Sequence, residues 1–233
     1  MKKGFTLAEV LITLAVIGVV ATLTMPNLIG NYKNRVLMTQ LQKTINTVTN
    51  SVSRAMNDYA AEKFGDVVTN PDTAKSFLKD YFDTVNICTR DSGYSNCLAA
   101  SYNNIDWNTP TGSIFPTAGG MPFVCGNLTS GATVCIASED NNGHGGAMGF
   151  GGIVFVITDV NGLQGPNING KDLFWFAVLN NGKLWYSAEK PNSPDEEKMQ
   201  AEAAGEKCSI EYYYPLQNTC LPYIISHGWE FKF

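Results

Sequence analysis

The chain has 233 residues, a formal net charge of −5 and a sequence pI of about 5.0, values that give no footing for nucleic-acid binding. Charged residues make up only 16 %, while hydrophobic residues reach 44 %, which excludes a disordered polyelectrolyte and fits a β-rich, loop-rich domain. The length suffices for one globular domain of roughly 170 residues with a real core, preceded by a separate N-terminal segment.

That segment reads MKKGFTLAEVLITLAVIGVVATLTMP. Lys2 and Lys3 precede an apolar run from Phe5 to Met25, interrupted by one charge, Glu9. A helix rising about 1.5 Å per residue carries such a run across a hydrocarbon layer of roughly 30 Å. A carboxylate in that setting is costly, by about 2.5–3.5 kcal/mol on insertion scales at mid-helix, so something must need it. A secretory signal peptide would have a shorter apolar core and a small-residue cleavage site, but here Pro26-Asn27-Leu28-Ile29 follows. A plain anchor explains neither Glu9 nor the Gly4-Phe5 junction.

Gly4-Phe5-Thr6-Leu7-Ala8-Glu9 resembles the processing site of type IV prepilins and the pseudopilins of type II secretion. The resemblance covers roughly residues 1–30. It implies a leader at 1–4, cleavage after Gly4 by a membrane prepilin peptidase, and N-methylation of Phe5. It also implies a buried Glu9 paired with the new α-amino group of a neighbouring subunit, and helix loosening at Gly18 and Pro26 in the filament. The implied partners are identical or homologous subunits, the peptidase, and an assembly platform with its ATPase. The implied location is the cytoplasmic membrane, single-pass with the head outside the cytoplasm, then an extracytoplasmic filament. Lys2 and Lys3 agree with that orientation through the positive-inside rule.

Past Pro26 the helical pattern continues. Val36, Leu37, Leu41, Ile45, Val48, Val52, Ala55, Met56 and Tyr59 recur at steps of three and four, one apolar stripe for the head to grip. Gly65 is the expected terminator. The expected division is therefore 1–4 leader, 5–28 membrane and assembly helix, 29–62 amphipathic continuation and 63–233 head. Asn70-Pro71-Asp72 marks a second helix start. From Ile87 to Gly152 the sequence is turn-rich, with short strand candidates at Ser113–Phe115, Phe123–Cys125 and Thr133–Ala137, then an exposed glycine loop around His144. Ile153–Ile157 is the strongest strand signal. Leu173–Leu179 and Lys183–Tyr186 flank Asn180-Asn181-Gly182, a hairpin signature, so a three-stranded antiparallel sheet is expected. Ser193-Pro194-Asp195-Glu196 reads as a capped helix reaching about Ala204, and Trp229–Phe233 as an edge strand.

Six cysteines, Cys88, Cys97, Cys125, Cys135, Cys208 and Cys220, all lie in the head. An even count in an exported domain reads as disulfides, with Cys88–Cys97, Cys125–Cys135 and Cys208–Cys220 as the local set among about fifteen possible pairings. No C-x-x-C supports zinc. The segment Asp159–Asp172 gathers oxygen-bearing side chains, and Asp159, Asn161 and Asp172 offer three ligands to Ca²⁺, the one cofactor considered. A calcium loop near the C-terminal sheet is a feature of major pseudopilins, but Gly170 takes the twelfth place, where an EF-hand needs Glu. The alternative is a turn in which Asp159 and Asn161 bond their own backbone. The glycine loop lacks a nucleotide-binding lysine, and neither His144 nor His227 sits in a nucleophile motif. The expected fold is α+β: a long N-terminal helix, half membrane and half amphipathic, packed on an antiparallel-sheet head. The expected function is structural, a subunit of a pilus-like filament or type II secretion pseudopilus and not an enzyme. The alternative is a minor pilin that adheres to a surface or takes up DNA.

Overall fold

The computed structural model describes residue 4 and residues 6–89, 91–99, 123–138, 154–186 and 220–229. One helix, α1 (Leu7–Asp58), dominates it and spans about 78 Å. It runs unbroken through Gly18 and Pro26. The upper part buries Leu37, Met38, Leu41, Thr44, Ile45, Val48, Ser51, Val52 and Ala55, the three-four rhythm of the predicted stripe. Two members of that stripe are corrected: Val36 and Tyr59 are exposed, and Met38 is buried instead.

The helix also ends earlier than Gly65. Tyr59 is its C-cap and Ala60 adopts φ 48°. Ala60 N donates to Asn57 O at 3.1 Å and Ala61 N to Met56 O at 2.9 Å, the paired bonds of a Schellman stop. Ala carries a Cβ, so this left-handed position costs about 1–2 kcal/mol and leaves no glycine signal in the sequence. Gly65 belongs instead to a short helix, α2 (Phe64–Val67). Helix α3 (Pro71–Tyr81) begins as predicted. The Asn70 side chain accepts from Asp72 N and Thr73 N at 2.9 and 3.0 Å, with Pro71 in the first turn, where a missing N–H is harmless.

Among the described residues six strands follow: β1 (Thr84–Cys88), β2 (Val124–Leu128), β3 (Thr133–Ser138), β4 (Val154–Asp159), β5 (Leu173–Val178) and β6 (Leu184–Trp185). They form one sheet in chain order, each strand antiparallel to the next. The expected three-stranded sheet is thus half of a six-stranded one. β1 escaped notice because Thr84-Val85-Asn86 is mostly exposed and lacks an apolar alternation. The sheet is buried on both faces, which explains why β4 and β5 read as unbroken apolar runs. Val154, Val156, Phe174, Phe176 and Val178 join α1 and α3 in one core. Phe155, Ile157, Leu173, Trp175 and Ala177 join Cys125, Cys135, Phe123 and Leu98 in a second core on the other face.

The Asn180-Asn181-Gly182 turn closes β5 to β6 as predicted. Leu179 N donates to Lys183 O, and Gly182 N to Leu179 O, both at 2.9 Å. Gly182 has φ 77°, and a Cβ there would sit 2.8 Å from Met56 Sδ, so glycine serves both the turn and its seat on the stalk. A last helix, α4 (Cys220–Ser226), buries Leu221 and Ile224 and has no counterpart among the sequence expectations. The strand at Ser113–Phe115, the glycine loop with His144, the helix from Ser193 to Ala204, and Tyr212–Pro215 lie outside the described residues. So do Phe5, Cys208 and the end of the aromatic tail.

Candidate functional site

The site begins at the helix N-terminus. Thr6 is the N-cap of α1, in extended conformation. Glu9 N donates to Thr6 Oγ1 at 3.3 Å, and Thr6 N donates to Glu9 Oε2 at 2.9 Å, a reciprocal capping box. Thr6 Oγ1 adds a third bond to Glu9 Oε2 at 2.8 Å. Glu9 is therefore held at the tip of the helix by its own first turn, and a carboxylate there complements the helix dipole. The sequence Thr6-Leu7-Ala8-Glu9 carries the spacing of this cap, Thr followed three residues later by Glu.

Beyond Glu9, every residue from Val10 to Ile29 is exposed apart from Ala21, which is half-buried. Thirteen large apolar side chains, Leu7 to Ile29, stand clear of the rest of the chain. Each would gain about 1.5–3 kcal/mol on leaving water, so tens of kcal/mol oppose this helix standing in solvent. Among the described residues it is the one helix long and apolar enough to cross a membrane.

The head carries the predicted disulfides as far as it is described. Cys88 pairs with Cys97 and Cys125 with Cys135, each with an S–S distance of 2.02 Å. Cys125 and Cys135 face each other directly in the β2–β3 register. Cys88–Cys97 ties residues 91–99 to the sheet, helped by Tyr94 Oη donating to Phe123 O at 2.7 Å and Asn127 Nδ2 to Asn96 O at 2.7 Å. Cys220 is also disulfide-bonded.

The structure brings Asp159, Asn161 and Asp172 together at one end of β4 and β5. Asn161 N donates to Asp159 Oδ1 at 3.1 Å, and Asn161 Nδ2 to Gly165 O at 3.0 Å. The Asn161 side chain also bonds Asp172. Asp172 Oδ2 accepts from Asn167 N at 2.7 Å and Oδ1 from Ile168 N at 2.6 Å. Burial pushes the Asp172 carboxyl above its ordinary value of 3.8, against the opposing pull of those backbone N–H groups. Gly162, at φ 64°, lets the loop touch the β2–β3 turn, since a Cβ there would lie 2.5 Å from Gly131 O. This is the turn held by its own side chains. The donor set also fits a hard cation, because Asn161 Oδ1 and Asn167 Oδ1 are buried without a hydrogen-bond partner and both carboxylates are buried nearby. Among the described residues, no three or more of His, Cys, Asp or Glu group to hold a metal ion, so a cation here would rest on two carboxylates and on amide or carbonyl oxygens.

Residues 1–25 match the family model described as the prokaryotic N-terminal methylation motif. No curated protein matches the chain. No solved structure matches it either. With that motif at the tip of a long apolar helix, and an α+β head of antiparallel strands behind it, the chain carries the N-terminal signature of type IV pilins and pseudopilins ahead of a pilin-like α+β architecture.

Proposed function

We propose that this chain is a structural subunit of a type IV pilus-like filament or type II secretion pseudopilus. The observation that carries the reading is the unpartnered apolar helix Leu7–Ile29 with Glu9 at its tip. Such a surface is stable in lipid or against other copies of itself, and a subunit that moves between the two needs both. The head sits outside the cytoplasm, where its disulfides persist. Cleavage after Gly4 frees the α-amino group of Phe5, and the Glu9 carboxylate of a neighbouring subunit pairs with it. Pairing offsets the several kcal/mol of burying either charge alone, which sets the axial register between subunits. Glu9 is held by Thr6 before assembly, so the intermolecular pair exchanges one partner for another and leaves no carboxylate bare in lipid. Gly18 and Pro26 are the points where the helix yields in the filament.

Intact-mass analysis of the protein from its native host tests this. The expected mature chain starts at N-methylated Phe5. A chain that retains Met1, or starts near Asn27, overturns it. We further propose Ca²⁺ as a ligand of Asp159, Asn161 and Asp172. The expected result is a melting temperature of the head that rises with calcium, worth about 2.7 kcal/mol at a hundredfold excess over Kd, and no response in Asp159→Ala. A melting temperature indifferent to millimolar calcium returns the loop to its self-braced role.

A further inference from the structure

A cleft of about 620 Å³ opens between the stalk and the loop joining β4 to β5. Its stalk wall includes Tyr32, Lys33 and Gln40, and its head wall includes Asn161, Pro166 and Lys171. Two features set it apart. Its lining holds two lysines and no carboxylate, although the chain as a whole carries a net charge of −5. Its lining also begins at Gly30, one residue past Ile29, where the exposed apolar stretch ends.

That stretch, Leu7–Ile29, is about 35 Å long as a helix, enough to fill a hydrocarbon layer of about 30 Å with modest tilt. The cleft then falls at the headgroup level. Tyr32 is exposed there, as interfacial tyrosines are, and Lys33 follows it. Lys171 lines the same cleft from the other wall, so lysines from two different elements border one space. Lysine ammonium groups attract a phosphate.

We propose that this cleft holds the headgroup of an anionic glycerophospholipid while the subunit waits in the membrane. The phosphodiester sits between Lys33 and Lys171. The lipid seats the head on the bilayer and is given up when the helix leaves for the filament. The inference rests on the membrane-inserted reading given above.

The test uses the full chain in nanodiscs, with a chelator present so that no bridging cation contributes. Wild-type protein released for native mass spectrometry should retain one phosphatidylglycerol in preference to phosphatidylcholine. Charge near a membrane surface is worth roughly fivefold in affinity per lysine, so Lys33→Gln with Lys171→Gln should weaken retention about thirtyfold. Lys75→Gln with Lys79→Gln, on α3 away from the cleft, should not. Equal retention in the cleft variant, or equal retention of phosphatidylcholine by wild type, overturns the proposal. Soluble glycerol phosphate binding as tightly as the lipid would also overturn it, by showing that the site takes a free phosphate. A chain that fails to insert at all speaks against the membrane reading, a separate result scored by nanodisc recovery.

Discussion

The two halves of α1 are one continuous helix with opposite situations. Leu41, Val52 and Ala55 are fully buried against the sheet and α3, whereas Leu7, Leu11 and Ile12 are 79 %, 58 % and 64 % exposed. Both halves are rich in apolar residues. The upper half alternates them with Gln42, Lys43, Asn46 and Asn50, so it has a wet face and a dry one. The lower half is apolar all round, so no single head could cover it. The lesson is that the upper half is a folding element, while the lower half lies outside the described core and, on the proposed reading, serves assembly, so the same side chain should matter to different measurements in the two.

The largest effect should come from Glu9. Glu9→Ala should leave membrane insertion intact, since it removes a charge from the lower half, yet abolish filament assembly. Glu9→Gln keeps the shape and should fail in the same way. Normal assembly of either variant alone would dissolve the distinction between the halves. Next, Leu41→Ala should destabilise the head by about 2–5 kcal/mol in denaturant unfolding of the full chain in detergent, while Leu14→Ala should leave that transition unmoved. A comparable loss from Leu14→Ala would mean that the head does lean on the lower helix.

Replacing Cys125 and Cys135 by Ser should cost about 2–3 kcal/mol in the same assay, because the bond closes a loop of sequence separation 10. It should not touch assembly at temperatures where the head stays folded. The smallest effect concerns Asp172. Its folded carboxyl titrates above 3.8, so between 3.8 and that raised value the folded state binds more protons than the unfolded one. This group's contribution to stability therefore falls as pH rises through that window, the reverse of a salt-bridged carboxylate. Asp172→Asn should flatten that slope in calcium-free buffer. A slope that survives in Asp172→Asn would assign it elsewhere.

Much of this was legible because it was local. The Asn180-Asn181-Gly182 turn, the Asn70 cap and the three-four stripe are written in neighbouring residues. Short-range pairing also made two disulfides readable. What escaped was decided at a distance or without a signature residue. The stop at Ala60 has no glycine. β1 is recruited by its pairing with β2, not by its own composition. Helix α4 carries Pro222 in its first turns and owes its place to Leu221 and Ile224 in the core. At the candidate site, Asp159, Asn161 and Asp172 were legible as a group, but their use as braces for their own loop needed coordinates. The cleft beside them joins residues 30–40 to residues 161–171, and no sequence window spans that distance.

On the proposed reading, in which the head is exported, the order of the sheet has a consequence. Among the described residues each strand pairs with the one before it in the chain, and Cys88–Cys97 and Cys125–Cys135 close loops of separation 9 and 10 that do not cross. A chain threaded outwards behind a tethered N-terminus presents its segments in that same order. Every newly emerged strand of the described sheet then finds its partner already waiting, and Cys88–Cys97 is complete before Cys125–Cys135 arrives. Short closures of this kind carry little loop entropy and keep contacts local, which favours fast folding. On that reading the described sheet can be built strand by strand as the head leaves the translocation channel, and α4 joins the core last, from the far end of the chain.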